Sequence, residues 1–124
     1  MATVLVVDDE PLMLTMITQV LQQNGFSVVT AGSGAKAMSV FRSHANDIDL
    51  LVSDIRMPDM DGPALAAELQ AEIPGLPVLL ISGYCEPDQI DNDYEFLAKP
   101  FAVTDLLRRV KSLVVRNTCA TAAS

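Results

Sequence analysis

Five short apolar runs, at residues 3–7, 27–30, 50–53, 78–82 and 95–98, alternate along the chain with segments of helix length. That alternation is the pattern of a parallel sheet covered by helices, and the runs are mostly continuous rather than alternating in polarity, as strands buried on both faces must be. The helices are punctuated where physical chemistry expects. Pro11 opens the first and Asn24-Gly25 closes it, Ser33 caps the second, and Asp61 caps the third, with Pro63 in its first turn and Pro74-Gly75 beyond its end. At 100° per residue, Met13, Met16, Ile17, Val20 and Leu21 form one buried arc on the first helix. In the last helix, Val103, Leu107, Val110 and Val114 share a face, with Leu106 and Leu113 beside it. Residues 86–93 are different: Pro87, four acids and the single apolar residue Ile90 predict a short or mobile helix. Residues 117–124 read as a flexible tail behind one domain spanning 1–116. At 124 residues, half of them apolar, the chain fills one core and not two. The predicted architecture is an α/β fold, (βα)5.

Chemistry-bearing residues gather just past strand ends: Asp8 and Asp9 after the first, Asp54 after the third, Ser82 ending the fourth and Lys99 after the fifth. Open α/β sheets bind ligands along that edge, where the strand order reverses, so residues spread over most of the chain converge there. Three carboxylates in one place repel, a single pair at about 4 Å costing roughly 4 kcal/mol at an effective dielectric of 20. A cation must balance them. An all-oxygen donor set without His or Cys selects a hard ion, and a site with few protein ligands that keeps its waters suits Mg²⁺ better than Ca²⁺.

Four blocks in order carry a resemblance: Val7-Asp8-Asp9-Glu10-Pro11, Ser53-Asp54-Ile55-Arg56-Met57-Pro58-Asp59-Met60-Asp61-Gly62, Ile81-Ser82-Gly83-Tyr84 and Leu97-Ala98-Lys99-Pro100-Phe101. Over about residues 3 to 116 the chain resembles the response-regulator receiver domains of two-component signalling. The resemblance implies a doubly wound sheet of strand order 2-1-3-4-5 and a phosphoryl group accepted on Asp54 from a sensor histidine kinase or histidine phosphotransfer protein. It implies Mg²⁺ on Asp9, Asp54 and the backbone carbonyl of Arg56, with Asp8 acting through a bound water. Lys99 and Ser82 would meet phosphoryl oxygens, Pro100 would follow a cis peptide bond, and Gly83 would leave space beside the phosphoryl group. Phe96 takes the place of an aromatic that swings inward on phosphorylation; a plain packing role on the last strand is the alternative. Arg56 and Tyr84 occupy places that tune phosphoryl lifetime. The resemblance implies that the first helix docks on the helical bundle of a kinase or phosphotransfer partner, which makes Leu12 and Leu14, on the two margins of the buried arc, a partly exposed docking pair; burial of both at the edge of the core is the alternative. Output would pass through the fourth and fifth helical segments and the fifth strand to a downstream protein. The wording of residues 81–84 is similar to receivers attached to hybrid histidine kinases.

Sixteen acids against eight basic residues give a formal charge of −8, which argues against nucleic acid or an anionic membrane surface as a partner. Half of the basic residues, Arg108, Arg109, Lys111 and Arg116, nevertheless lie in the final helix. There they complement the helix dipole or form a face for homodimerisation or an acidic partner. Cys85 and Cys119 lack CxxC spacing or a neighbouring His, so no zinc site or disulfide framework is indicated; Cys85 reads as a packed small side chain and His44 as an exposed helix end. The apolar start is too short for a signal peptide or a membrane span, and a cytoplasmic location is expected. Two other classes fit less of the chain. A phosphorylation-independent interaction module would have the same site unused. A phosphatase with an aspartate nucleophile needs Asp-x-Asp after its first strand, where this chain has adjacent Asp8 and Asp9.

Overall fold

The chain begins with β1 (Thr3–Val7) and α1 (Pro11–Gln23), followed by β2 (Ser27–Ala31), α2 (Gly34–His44) and β3 (Ile48–Asp54). It continues through α3 (Gly62–Glu72), β4 (Val78–Ser82), β5 (Glu95–Ala98) and α4 (Val103–Ala123). The structure is a computed structural model and describes residues 2–44, 47–55, 57, 59–82, 95–99 and 101–123; for Ser82 and residues 115–123 it describes the backbone alone. The segment 86–93, for which a short helix was expected, lies outside the described residues, as do Gly83, Tyr84 and Cys85.

All five strands are parallel, in the order β2-β1-β3-β4-β5. The chain leaves β1 toward β2 on one side and returns to β3 on the other, which places the topological switch point between β1 and β3. Strand side chains alternate between faces, and this divides the core in two. Leu5, Val7, Leu51 and Leu80 pack on Ala37, Phe41, Leu65 and Leu69 of α2 and α3. Val4, Val6, Leu50, Val52, Leu79 and Ile81 pack on Ile17, Leu21, Leu106, Val110 and Leu113 of α1 and α4. Each fully buried Leu or Ile contributes about 1.5–3 kcal/mol by leaving water, so the alternation along β1 alone commits helices to both faces.

Helix ends follow their sequence signals. Pro11 sits in the first turn of α1 and Asn24 is its C-cap, with Gly25 at φ +90°, a left-handed turn that a side chain would strain. The Ser33 Oγ accepts from the Lys36 N–H at 3.1 Å, and an Asp61 oxygen accepts from Ala64 N–H at 2.8 Å. His44 ends α2 in an exposed position.

One expectation for the last helix is corrected. Its buried centre is Leu106, Val110 and Leu113, with Leu107 and Val114 at the margin and Val103 44% exposed. At 100° per residue this turns the helix by about 60° from the face the spacing first suggests. Both stripes share Val110, and packing against Val52, Ile81 and Leu97 selects between them. The helix itself runs from Val103 to Ala123. No Gly or Pro interrupts residues 117–123, and Ala120, Ala122 and Ala123 are strong helix formers.

Candidate functional site

The register brings the strand ends level: Val7 lies opposite Ala31 and Ser53, Asp54 opposite Ile81, and Ser82 opposite Ala98. Residues immediately past those ends therefore share one edge of the sheet. Asp8 extends the β1 ladder by donating its N–H to the Ala31 carbonyl at 3.2 Å, and its side chain is almost wholly buried. Its Oδ1 accepts from the Glu10 N–H at 2.9 Å, and its Oδ2 lies 3.6 Å from the Lys99 Nζ. Asp54 is the last residue of β3, with its Oδ2 3.4 Å from the same Nζ. The next residue, Ile55, bonds back to the Ile81 carbonyl at 2.9 Å, and the Gly62 N–H donates to the Ile55 carbonyl at 2.8 Å.

Gly62 is required there by close approach. A Cβ on it would stand 2.6 Å from the Asp54 carbonyl oxygen and 3.0 Å from Ile55 Cα. Positive φ is not what this position uses, since the described positive-φ glycines are Gly25 and Gly75.

Asp8, Asp9 and Asp54 each offer a carboxylate oxygen, and the three lie within 4.8 Å of one another, with Asp9 on the exposed side. Among the described residues, these three carboxylates against the Lys99 ammonium leave a formal charge of −2 in a partly buried space. Burial pushes the Asp8 carboxyl above its usual range; the Glu10 N–H opposes this, and the Asp54 charge adds to it. Burial works against the Lys99 ammonium too, but Asp8 and Asp54 outweigh it and hold the lysine above its ordinary value. A hard divalent cation fits this donor set, whose oxygens are all carboxylate and whose excess charge a single such ion would cancel.

Of the other residues singled out by sequence, Ser82 ends β4 beside this edge. Arg56, Pro58 and Pro100 lie outside the described residues. Phe96 is half-buried in β5 opposite Leu80 and packs on the α2 and α3 side of the core. Leu12 is 85% exposed, whereas Leu14 is half-buried against the α1 and α4 side. In the last helix Arg109 pairs with Glu95 at 2.7 Å and Arg108 approaches Asp105 at 4.0 Å.

Sequence reasoning assigned no role to Asp59. Its Oδ1 and Oδ2 accept from the N–H groups of Gly34 and Ala35 at 3.1 and 2.9 Å, and these bonds hold its carboxyl below the usual range. A cap supplied from 24 residues away leaves no local signal in the chain.

Comparison with known proteins agrees with this geometry. The chain is 36% identical over 121 residues to the sensor kinase CckA of Brucella abortus and 33% identical over 123 residues to the probable transcriptional regulatory protein TcrX of Mycobacterium tuberculosis. These alignments cover 94% and 93% of this chain but only 13% and 50% of the relatives, so the chain spans half or less of their length. A response regulator receiver domain protein from Clostridium thermocellum superimposes with a TM-score of 0.90 at 27% identity, over 97% of this chain and 99% of that one. The model of the response regulator receiver domain matches residues 4–111, a span that holds all five strands but for Thr3 and includes all the clustered acids, and the chain belongs to that family of two-component phosphorelay receivers.

Proposed function

We propose that Asp54 is the phosphoacceptor, taking a phosphoryl group from the phosphohistidine of a sensor histidine kinase or a histidine phosphotransfer protein. The observation that carries this reading is the placement of the Asp54 carboxylate, 3.4 Å from the Lys99 ammonium and grouped with Asp8 and Asp9. An Asp54 oxygen attacks phosphorus, the P–N bond to imidazole breaks in line, and the electron pair leaves on the imidazole nitrogen. Little covalent chemistry falls to the protein; positioning and charge neutralisation do the rest. Lys99 already faces the oxygens of Asp8 and Asp54 and meets the incoming negative charge as a point cation. Asp9, Asp54 and the Arg56 carbonyl would hold Mg²⁺, with Asp8 acting through a water, and the ion supplies the remaining neutralisation of phosphoryl oxygens. The Ser82 hydroxyl donates to a further oxygen of the bound phosphoryl group.

Phosphorylation then changes contacts with a downstream protein. Phe96 would report it by swinging inward, a reading supported by its half-buried place in β5 two residues before Ala98, the register partner of Ser82, with a plain packing role as the alternative. Leu12, exposed at the site end of α1, and Leu14, half-buried on the opposite margin of the helix's buried arc, contribute to the docking surface for the kinase or phosphotransfer bundle. Because the CckA relative is a sensor kinase of which the match covers 13%, a second reading has this sequence acting as the receiver of a hybrid kinase. Among the described residues no helix is long and apolar enough to cross a membrane, which agrees with a cytoplasmic site of action.

The test is intact-mass spectrometry after incubation with acetyl phosphate and Mg²⁺. One phosphoryl adduct on the wild type, lost in Asp54→Ala and in EDTA, is expected. An unmodified wild type with the same donor and beryllofluoride-insensitive spectra would instead mark a phosphorylation-independent interaction module.

A further inference from the structure

The acids of the site stand where β1 and β3 give way to loops, and both loops are fastened to the same short stretch, residues 31–35, which runs from the end of β2 into the first turn of α2. From one side, Asp8 donates its N–H to the Ala31 carbonyl at 3.2 Å. From the other, the Asp59 carboxylate accepts from the Gly34 N–H at 3.1 Å and the Ala35 N–H at 2.9 Å. Met60 closes over the same turn, so that a Cβ on Gly34 would stand 2.7 Å from the Met60 Cβ.

These bonds do more than cap a helix. The α2 terminus already has a local cap, because the Ser33 Oγ accepts from Lys36 N–H at 3.1 Å. Asp59 takes amides which that cap leaves over, and it does so with a charged acceptor at the positive end of the helix dipole. The two N–H groups hold its carboxyl below the ordinary range, as expected of a carboxylate bonded in its charged form. The loop from Asp54 to Gly62 is also pinned at its ends, by the Ile55–Ile81 bond and by the Gly62–Ile55 bond. Asp59 is the pin between them, and the only one of the three that ties the loop to the turn holding Asp8.

We propose that Asp59 is a positioning residue of the phosphoryl-accepting site: it fastens the loop after Asp54 to the turn that holds Asp8, and so sets the spacing of the two carboxylates. This inference rests on the reading of Asp54 and Mg²⁺ given above. Asp59 touches neither the ion nor the reacting atoms; it acts through the backbone of the two loops.

The test compares wild type with Asp59→Ala, Asp59→Asn and Ser33→Ala. Three quantities are read: exchange of the Asp8 and Gly62 amide hydrogens in ion-free protein, Mg²⁺ affinity by calorimetry, and the rate of labelling by acetyl phosphate at saturating Mg²⁺. Asp59→Ala should speed exchange at Gly62 and weaken Mg²⁺ binding on the order of tenfold, the usual scale for groups that orient ligands from behind. Asp59→Asn, which keeps one acceptor, should fall between. Ser33→Ala weakens the same helix end without touching the loop, and should keep wild-type Mg²⁺ affinity even as its melting midpoint drops. Wild-type exchange and Mg²⁺ affinity in Asp59→Ala would overturn the proposal, and so would an equal loss of affinity in Ser33→Ala. A wild type that takes up neither Mg²⁺ nor a phosphoryl group would instead sink the reading of the site itself, and this inference with it.

Discussion

Asp8 and Gly62 show how single residues set the properties of the site. Asp8 is buried beside another carboxylate, so its ionised form is disfavoured in the folded protein. In the unfolded chain the group titrates near its ordinary 3.8, below its folded value. Between those two values the folded state binds more protons, so stability falls as pH rises through the window, and the cost of the buried charge is fully present above it. Asp8→Asn keeps an acceptor for the Glu10 N–H and removes the charge. In EDTA at neutral pH it should stabilise the protein by on the order of 1 kcal/mol, as neutral replacements of buried charges commonly do. That gain should shrink as the buffer is acidified through the raised pKa, and urea midpoints across pH would show it. At Gly62 the obstacle is steric: Gly62→Ala places a methyl 2.6 Å from the Asp54 carbonyl oxygen. A loss of about 1–3 kcal/mol is expected from such overpacking, read as a lower urea midpoint with a displaced Asp54 amide resonance. The glycine was visible in the sequence as a loop residue. Its purpose was not, because the atom it avoids lies eight residues away across a turn.

At the scale of elements, strands proved easier to place than helix faces. The runs at 3–7, 78–82 and 95–98 match β1, β4 and β5 end for end; in β1 and β4, which are buried on both faces, a continuous apolar stretch is enough to declare the strand. The caps at Ser33 and Asp61 were equally local, each bonding an amide three residues on. The face of α4 was harder. Its sequence offers two overlapping stripes, and only the neighbours in β3, β4 and β5 choose between them. A substitution pair tests the choice. Leu106→Ala should lose about 2–5 kcal/mol, the usual cost of a fully buried leucine. Val103→Ser, on the stripe that spacing favoured, should change stability by less than about 0.5 kcal/mol, as exposed positions do. Equal losses from both, measured by denaturant unfolding with unchanged m, would contradict the observed packing.

The chain folds as a receiver domain, and among its described residues the Asp8, Asp9, Asp54 and Lys99 cluster holds a formal charge of −2. An ion that binds only the folded form should raise stability with its concentration, by about 2.7 kcal/mol at one hundred times its Kd. Mg²⁺ should therefore lift the thermal midpoint of wild type, EDTA should reverse it, and Asp54→Ala should flatten the response; a Mg²⁺-independent midpoint would remove the case for a metal site. The sequence by itself determined the alternation of strands and helices, the two-faced core and the residues standing at strand ends, because each depends on neighbours along the chain. Four matters were decided only by tertiary structure: the burial of Asp8 beside an exposed Asp9, the reason for Gly62, the rotation of α4 and the reach of Asp59 to α2. Each turns on how closely two segments approach after folding, and that distance is set by packing between elements rather than by the order of residues within one.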